Sequence, residues 1–161
     1  MILFKGGIMN LRANIEDKYK EAVKNKKVSK INTLRLIKSA IKNKDIATRS
    51  QENKELISDS EILILLQSLI KQRKDSIDSF KLASRKDLIV IEQDEIDIIS
   101  IFLPKQMGEE QILELITKII KDHNLRSIKD MGKLISELKS NHSGSIDMAL
   151  AGKLAKSKFI K

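Results

Sequence analysis

Apolar side chains recur every three or four residues along nearly the whole chain, the spacing of a helix face rather than a strand. Leu11, Ile15, Tyr19, Ala22 and Val23 form the first such stripe and predict a helix over about residues 10–25. The polar cluster Lys24, Asn25, Lys26, Lys27 interrupts it. Ile31, Leu34, Ile37 and Ile41 predict a second helix over about 29–47, with Ser29 placed to cap its start. Residues 48–57, which include Ser50, Gln51, Glu52, Asn53 and Lys54, read as a loop. Ser58 with Glu61 has the form of a capping box and opens a third helix to about 83, striped by Ile62, Leu66, Leu69, Ile77 and Phe80. Ser84 with Asp87 repeats that form. It predicts a tight turn near 84 and a fourth helix over about 86–102, striped by Leu88, Ile96, Ile99, Phe102 and Leu103.

Pro104 cannot continue a helix and marks the boundary between two lobes. Three shorter helices follow. One over about 109–123 buries Ile112, Leu115, Ile116 and Ile119, and one over about 128–139 starts at Ser127 and buries Met131, Leu134, Ile135 and Leu138. Residues 140–144 read as a loop, and a last helix over about 146–159 carries Ile146, Leu150, Leu154 and Phe159. The expected architecture is all-α: an N-terminal four-helix lobe over 9–103 and a small C-terminal three-helix bundle over 104–161. Residues 1–8 are expected to form a loose tail, which makes Met9 an alternative start.

Composition narrows the chemistry. The 161 residues contain no Cys and no Trp, and aromatics are 3% of the total. The core must be aliphatic, and 26 Ile supply much of it. Disulfides, thiolate metal sites and Cys nucleophiles are excluded, which suits a reducing setting, and a cytoplasmic location is expected. No apolar run reaches the ~18 residues of a membrane span. The formal net charge is +9 and uneven: residues 1–50 carry 13 basic and 4 acidic side chains, 51–103 carry 7 and 11, and 104–161 carry 11 and 7.

On the second helix Arg35, Lys38 and Lys42 fall on one face, with Lys24, Lys26, Lys27 and Lys30 just before them. Such a patch can track phosphates. With few aromatics to stack on bases, recognition by shape and phosphate contact is expected rather than base reading. Arg73 interrupts the apolar stripe of the third helix, and Glu92 and Glu95 interrupt that of the fourth. A turn centred at 84 sets Arg73 opposite Glu95, with Glu92 one turn away, as an interhelical ion pair that fixes register. His123 and His142 lack a metal-ligand partner three or four residues away, so no metal site is expected. No nucleophile elbow, phosphate-cradling glycine loop or dinucleotide fingerprint is present, and no cofactor is expected. Gly132 and Gly152 lie within helices, where glycine costs roughly 1 kcal/mol against alanine, which points to close helix packing.

Five segments carry a family likeness: Leu34-Arg35-Leu36-Ile37-Lys38-Ser39-Ala40, Lys71-Gln72-Arg73-Lys74-Asp75-Ser76, Arg85-Lys86-Asp87-Leu88, Phe102-Leu103-Pro104 and Asp130-Met131-Gly132-Lys133. In that order the chain resembles the GatB/YqeY family over about residues 10–160. The resemblance implies a two-lobed helical protein whose C-terminal lobe is similar to the tail of the B subunit of the tRNA-dependent amidotransferase. That tail helps grip tRNA. Gly132, Lys133, Gly144 and Asp147 match the tail pattern, whereas Met148-Ala149 stands where relatives often carry a Gly-Lys pair.

The family label of carbon–nitrogen ligase with glutamine as amide donor would need an activated nucleophile and a phosphate–magnesium site, and the sequence displays neither. The expected function is therefore a non-catalytic accessory module. It would bind tRNA or another structured RNA, or join an amidotransferase complex, through Arg35, Lys38 and Lys42 on the first lobe and Lys133, Lys153 and Lys156 on the second. A subunit with ligase activity and a protein-interaction adaptor are the alternatives.

Overall fold

Every apolar stripe folds as a helix, and the chain is all-α. The computed structural model describes residues 10–49 and 55–160, and among them there is no strand. The expected tail over 1–8 and the alternative start at Met9 lie outside the described residues. Helices α1 (Leu11–Lys24), α2 (Val28–Thr48), α3 (Asp59–Leu82) and α4 (Lys86–Ser100) form one compact unit. Helices α5 (Glu109–Asp122), α6 (Met131–His142) and α7 (Met148–Phe159) form a second, which begins at Pro104.

The first unit is held at its helix ends by side chains from other helices. The Leu11 amide donates to the Asp59 carboxylate at 3.1 and 3.2 Å, so the start of α3 caps the start of α1. Ser58 and Glu61 cap α3 reciprocally. Ser29 is not the cap of α2. That helix begins one residue earlier, and the Ser29 hydroxyl donates instead to Asp94 on α4.

Ser84 and Asp87 do not form a capping box either. The chain leaves α3 through a turn in which the Arg85 amide reaches back to the Phe80 carbonyl at 2.9 Å, and that turn needs a left-handed residue. Ser84 takes that role with φ 54°, and Asp87 pairs with Arg85 at 2.7 Å. Lys26 and Asn124, at φ 53° and 50°, close α1 and α5 in the same way.

The core of the first unit gathers Leu11 and Ile15 from α1, Leu34, Ile37 and Ile41 from α2, Ile62, Leu63, Leu66 and Leu69 from α3, and Ile99 with Phe102 from α4 and its end. Each such side chain contributes roughly 1.5–3 kcal/mol by leaving water. Helix α4 also buries Ile98, a position off its expected stripe, because α2 and α3 both pack against it.

In the second unit Ile112, Ile116 and Ile119 of α5 meet Leu134 and Leu138 of α6, with Leu125 and Ile146 between helices. Helix α7 departs from its expected stripe. Ala151 and Ala155 are fully buried, while Leu150, Leu154 and Phe159 pack only partly against the core. Small side chains at a helix contact allow closer approach of the two axes. Helix α6 runs to His142, past the expected break at 140. Asn141 donates to Glu137 and the Ser143 hydroxyl to the Lys139 carbonyl across its last turn. Gly144 then takes φ 79° and is followed by the turn into α7.

Close packing does not explain Gly132 and Gly152. A Cβ built at either meets nothing within 4 Å. Replacing Gly152 by Ala is therefore expected to raise stability by about 0.5–1 kcal/mol through helix propensity alone. A denaturation midpoint equal to or below that of the parent would contradict this open surroundings.

A cationic groove between the first two helices

The turn at Lys24–Lys27 folds α2 back along α1. Residues at helical spacing on α1 then meet residues at helical spacing on α2 as successive antiparallel rungs. Tyr19 meets Arg35, Glu16 meets Lys38, and Arg12 meets Asp45. Between them lies an open groove of about 520 Å³, lined by these six residues and by Ile15, Ser39, Ile41 and Lys42. The three first-lobe cations expected from the sequence, Arg35, Lys38 and Lys42, therefore share one groove.

The rungs differ in what they leave available. On one rung, Arg12 holds both Asp45 oxygens at 2.9 and 2.6 Å and also donates to the Ile57 carbonyl at 3.1 Å. The Ile57 amide donates to Asp45 at 2.9 Å. The hydrogen bonds from Arg12, with help from the Ile57 amide, hold the buried Asp45 carboxyl below its ordinary range against the opposing effect of burial.

In the middle, Lys38 lies 2.6 Å from Glu16 and 4.3 Å from the centre of the Tyr19 ring. The same Lys38 hydrogen bond lowers the Glu16 pKa. On the rung nearest the turn, the Arg35 Nε donates to the Tyr19 hydroxyl at 3.2 Å. Among the described residues no carboxylate lies within ion-pair distance of Arg35 or Lys42.

The other site residues sit elsewhere. Arg73 is 7% exposed, and its guanidinium donates through Nε to Glu95 at 2.7 Å and through Nη1 to the Leu69 carbonyl at 3.0 Å. Its Nη2 lies 2.7 Å from the same Glu95 oxygen. Glu92 is half-buried one turn before Glu95 and makes no ion pair with Arg73 among the described residues. In the second unit, exposed Lys133 lies on α6 beside Asp130, whose carboxylate accepts from the Arg126 and Ser127 amides at 2.9 and 3.1 Å. Those two bonds, with a smaller contribution from Lys133, lower the Asp130 pKa. Lys153 and Lys156 are exposed on α7. His123 is exposed, and His142 is the half-buried last residue of α6 rather than part of a loop.

Sequence reasoning missed Arg12, Glu16, Tyr19 and Asp45 as parts of the groove. For Asp45 a signal was present within its own helix. Asp45 continues the stripe Leu34, Ile37, Ile41 at helical spacing, and a carboxylate on an apolar face requires a partner.

The profile of the YqeY-like protein family matches residues 12–159. The chain belongs to that family. Among curated YqeY relatives, the "Altered inheritance of mitochondria protein 41, mitochondrial" of Pyrenophora tritici-repentis is 30% identical over 125 residues, which cover 74% of this chain and 66% of that protein. The protein of the same name from Saccharomyces cerevisiae is 32% identical over 111 residues, covering 69% and 54%. An uncharacterised Schizosaccharomyces pombe protein is 31% identical over 98 residues, covering 61% and 76%. The chain thus spans about half to two thirds of the length of the first two relatives. The first two of these names overturn the expectation of a cytoplasmic location, because both relatives are named mitochondrial. The physical reason is that a lack of cysteine shows only that disulfides are not used, and it does not select one compartment.

Proposed function

We propose that this YqeY-like protein is a non-catalytic RNA-binding module that holds structured RNA by phosphate contacts. The observation that carries this reading is the gathering of Arg35, Lys38 and Lys42 with Arg12 in one open groove, with Arg35 and Lys42 left without a carboxylate among the described residues. Uncompensated cations at helical spacing match the spacing-tolerant, sequence-independent attraction of a phosphate backbone. Lys133, Lys153 and Lys156 provide a second basic set on the other unit. The sequence of that unit resembles the amidotransferase tail at Gly132, Lys133, Gly144 and Asp147, and on that resemblance tRNA is the first RNA to test.

The test is fluorescence anisotropy with labelled tRNA between 50 and 200 mM salt. Affinity is expected to fall steeply as salt rises. Arg35→Glu with Lys42→Glu should weaken binding at least tenfold and reduce the salt slope by about 2, one for each lost phosphate contact. Lys38→Ala should have a smaller effect, since its charge is already committed to Glu16. Equal affinity of the double variant and the parent would end the proposal.

A further inference from the structure

We propose that the groove between α1 and α2 is a site for a dianionic phosphomonoester, gripped by the fork of Arg35 and the ammonium of Lys42. This rests on the phosphate-binding reading of the groove given above and names the group it takes.

Charge accounting leads to it. Asp45 neutralises Arg12 and Glu16 neutralises Lys38, each through a contact of 2.6 Å. Among the described residues Arg35 and Lys42 remain without a carboxylate, two positive charges lining one groove. An internal phosphodiester offers a single negative charge, whereas a phosphomonoester offers close to two above its second ionisation near pH 6.

Donor geometry agrees. Tyr19 accepts the Nε proton of Arg35, so the phenol orients the guanidinium and leaves its two terminal amino groups to donate in parallel. The Ser39 hydroxyl lines the same groove and supplies a further donor. Volume and walls also agree. About 520 Å³ exceeds what a bare phosphate needs and falls in the range of small-molecule sites, and Ile15 and Ile41 give the remainder of a ligand an apolar wall. A mononucleotide and the 5′-phosphate end of an RNA both present this chemistry.

The full chain is titrated with adenosine 5′-monophosphate, inorganic phosphate and dimethyl phosphate, following the Arg35 Nε–H and Tyr19 ring signals by NMR. All three ligands are expected to shift both signals, with dimethyl phosphate, which carries a single charge, at least tenfold weaker than the other two. Affinity for the mononucleotide should rise between pH 5 and 7.5 as its phosphate takes the second charge. The groups facing the groove are Arg12, Arg35, Lys38 and Lys42, the Tyr19 phenol, and the carboxylates of Glu16 and Asp45. Both carboxylates are held below their ordinary range by their cationic partners, so the rise belongs to the ligand.

Arg35→Lys, which keeps the charge and loses the fork, should weaken binding at least tenfold. Glu16→Gln should tighten it severalfold, because it removes a carboxylate from the groove and releases Lys38. Tighter binding of a 5′-phosphorylated than of a 5′-hydroxyl RNA oligonucleotide identifies the RNA end as the source. Mononucleotide binding with no difference between the two oligonucleotides identifies a free nucleotide. Equal binding of dimethyl phosphate and mononucleotide, or an Arg35→Lys variant that matches the parent, overturns the dianion site. Salt-sensitive tRNA binding would then still stand. Mononucleotide binding without any tRNA binding removes the RNA reading and leaves the site.

Discussion

Asp45→Ala is expected to destabilise the first unit by about 3–5 kcal/mol, the cost of breaking a buried ion pair from one side. Three donors lose their acceptor at once: Arg12 through both terminal nitrogens, and the Ile57 amide. The Asp45 side chain is 8% exposed and that of Arg12 29%, so water can only partly replace the carboxylate. The Asp45 contacts also fasten the segment entering α3 onto the end of α2, and their loss should loosen residues 55–58 first. Tyr19 is the single tyrosine, and there is no Trp. Its fluorescence therefore follows urea unfolding of the first unit within the full chain.

A pH dependence accompanies this. The folded pKa of Asp45 is lowered, chiefly by the Arg12 hydrogen bonds, so its stabilisation is fully present above the unfolded value of about 3.9. It is lost as pH falls through the lower folded value. The parent should lose stability below about pH 4 more steeply than Asp45→Asn, whose side chain does not titrate. An Asp45→Ala midpoint within error of the parent would show that the pair carries no structural weight.

Arg73→Ala is expected to cost a similar ~3–5 kcal/mol, with a different signature on double substitution. Arg73 is almost completely enclosed between α3 and α4, and its removal strands Glu95, whose side chain is 25% exposed, beside an apolar seam. Replacing both partners by apolar residues of similar size, Arg73→Met with Glu95→Leu, removes the desolvated charges together and should recover most of the loss. The double-mutant cycle is expected to show a coupling of at least about 2 kcal/mol, at the high end for residues in contact. Glu92→Ala should be nearly neutral, since no ion pair joins Glu92 to Arg73. A double variant as unstable as Arg73→Ala alone would mean that register along α3 and α4 depends on the charges themselves.

Arg73 and Asp45 also show what a sequence makes legible. Both are charged residues on apolar helix faces. Arg73 can be matched to Glu95 in advance because the turn near 84 is short and sets an antiparallel register between helices adjacent in the chain. The turn at Lys24–Lys27 is equally short, and the same reasoning along α1 and α2 leads to Tyr19 with Arg35 and Glu16 with Lys38. Ser29 and Ser84 misled because their local patterns are valid caps, and the chain gave both residues other roles. Asp94 reaches across to Ser29, and the end of α3 needs a left-handed residue at 84.

Helix content and the apolar faces of α1, α2, α3, α5 and α6 were determined by the sequence itself, because a helix forms from contacts three and four residues apart and its buried face must repeat at that interval. The face that α7 buries, the burial of Ile98 on α4, the empty space beside Gly132 and Gly152, and the Arg12–Asp45 rung of the groove were decided only by tertiary structure. They depend on which helix flank lies against which neighbour and how closely. That is settled by side chains tens of residues apart, such as Arg12 and Asp45, whose interaction no local spacing encodes.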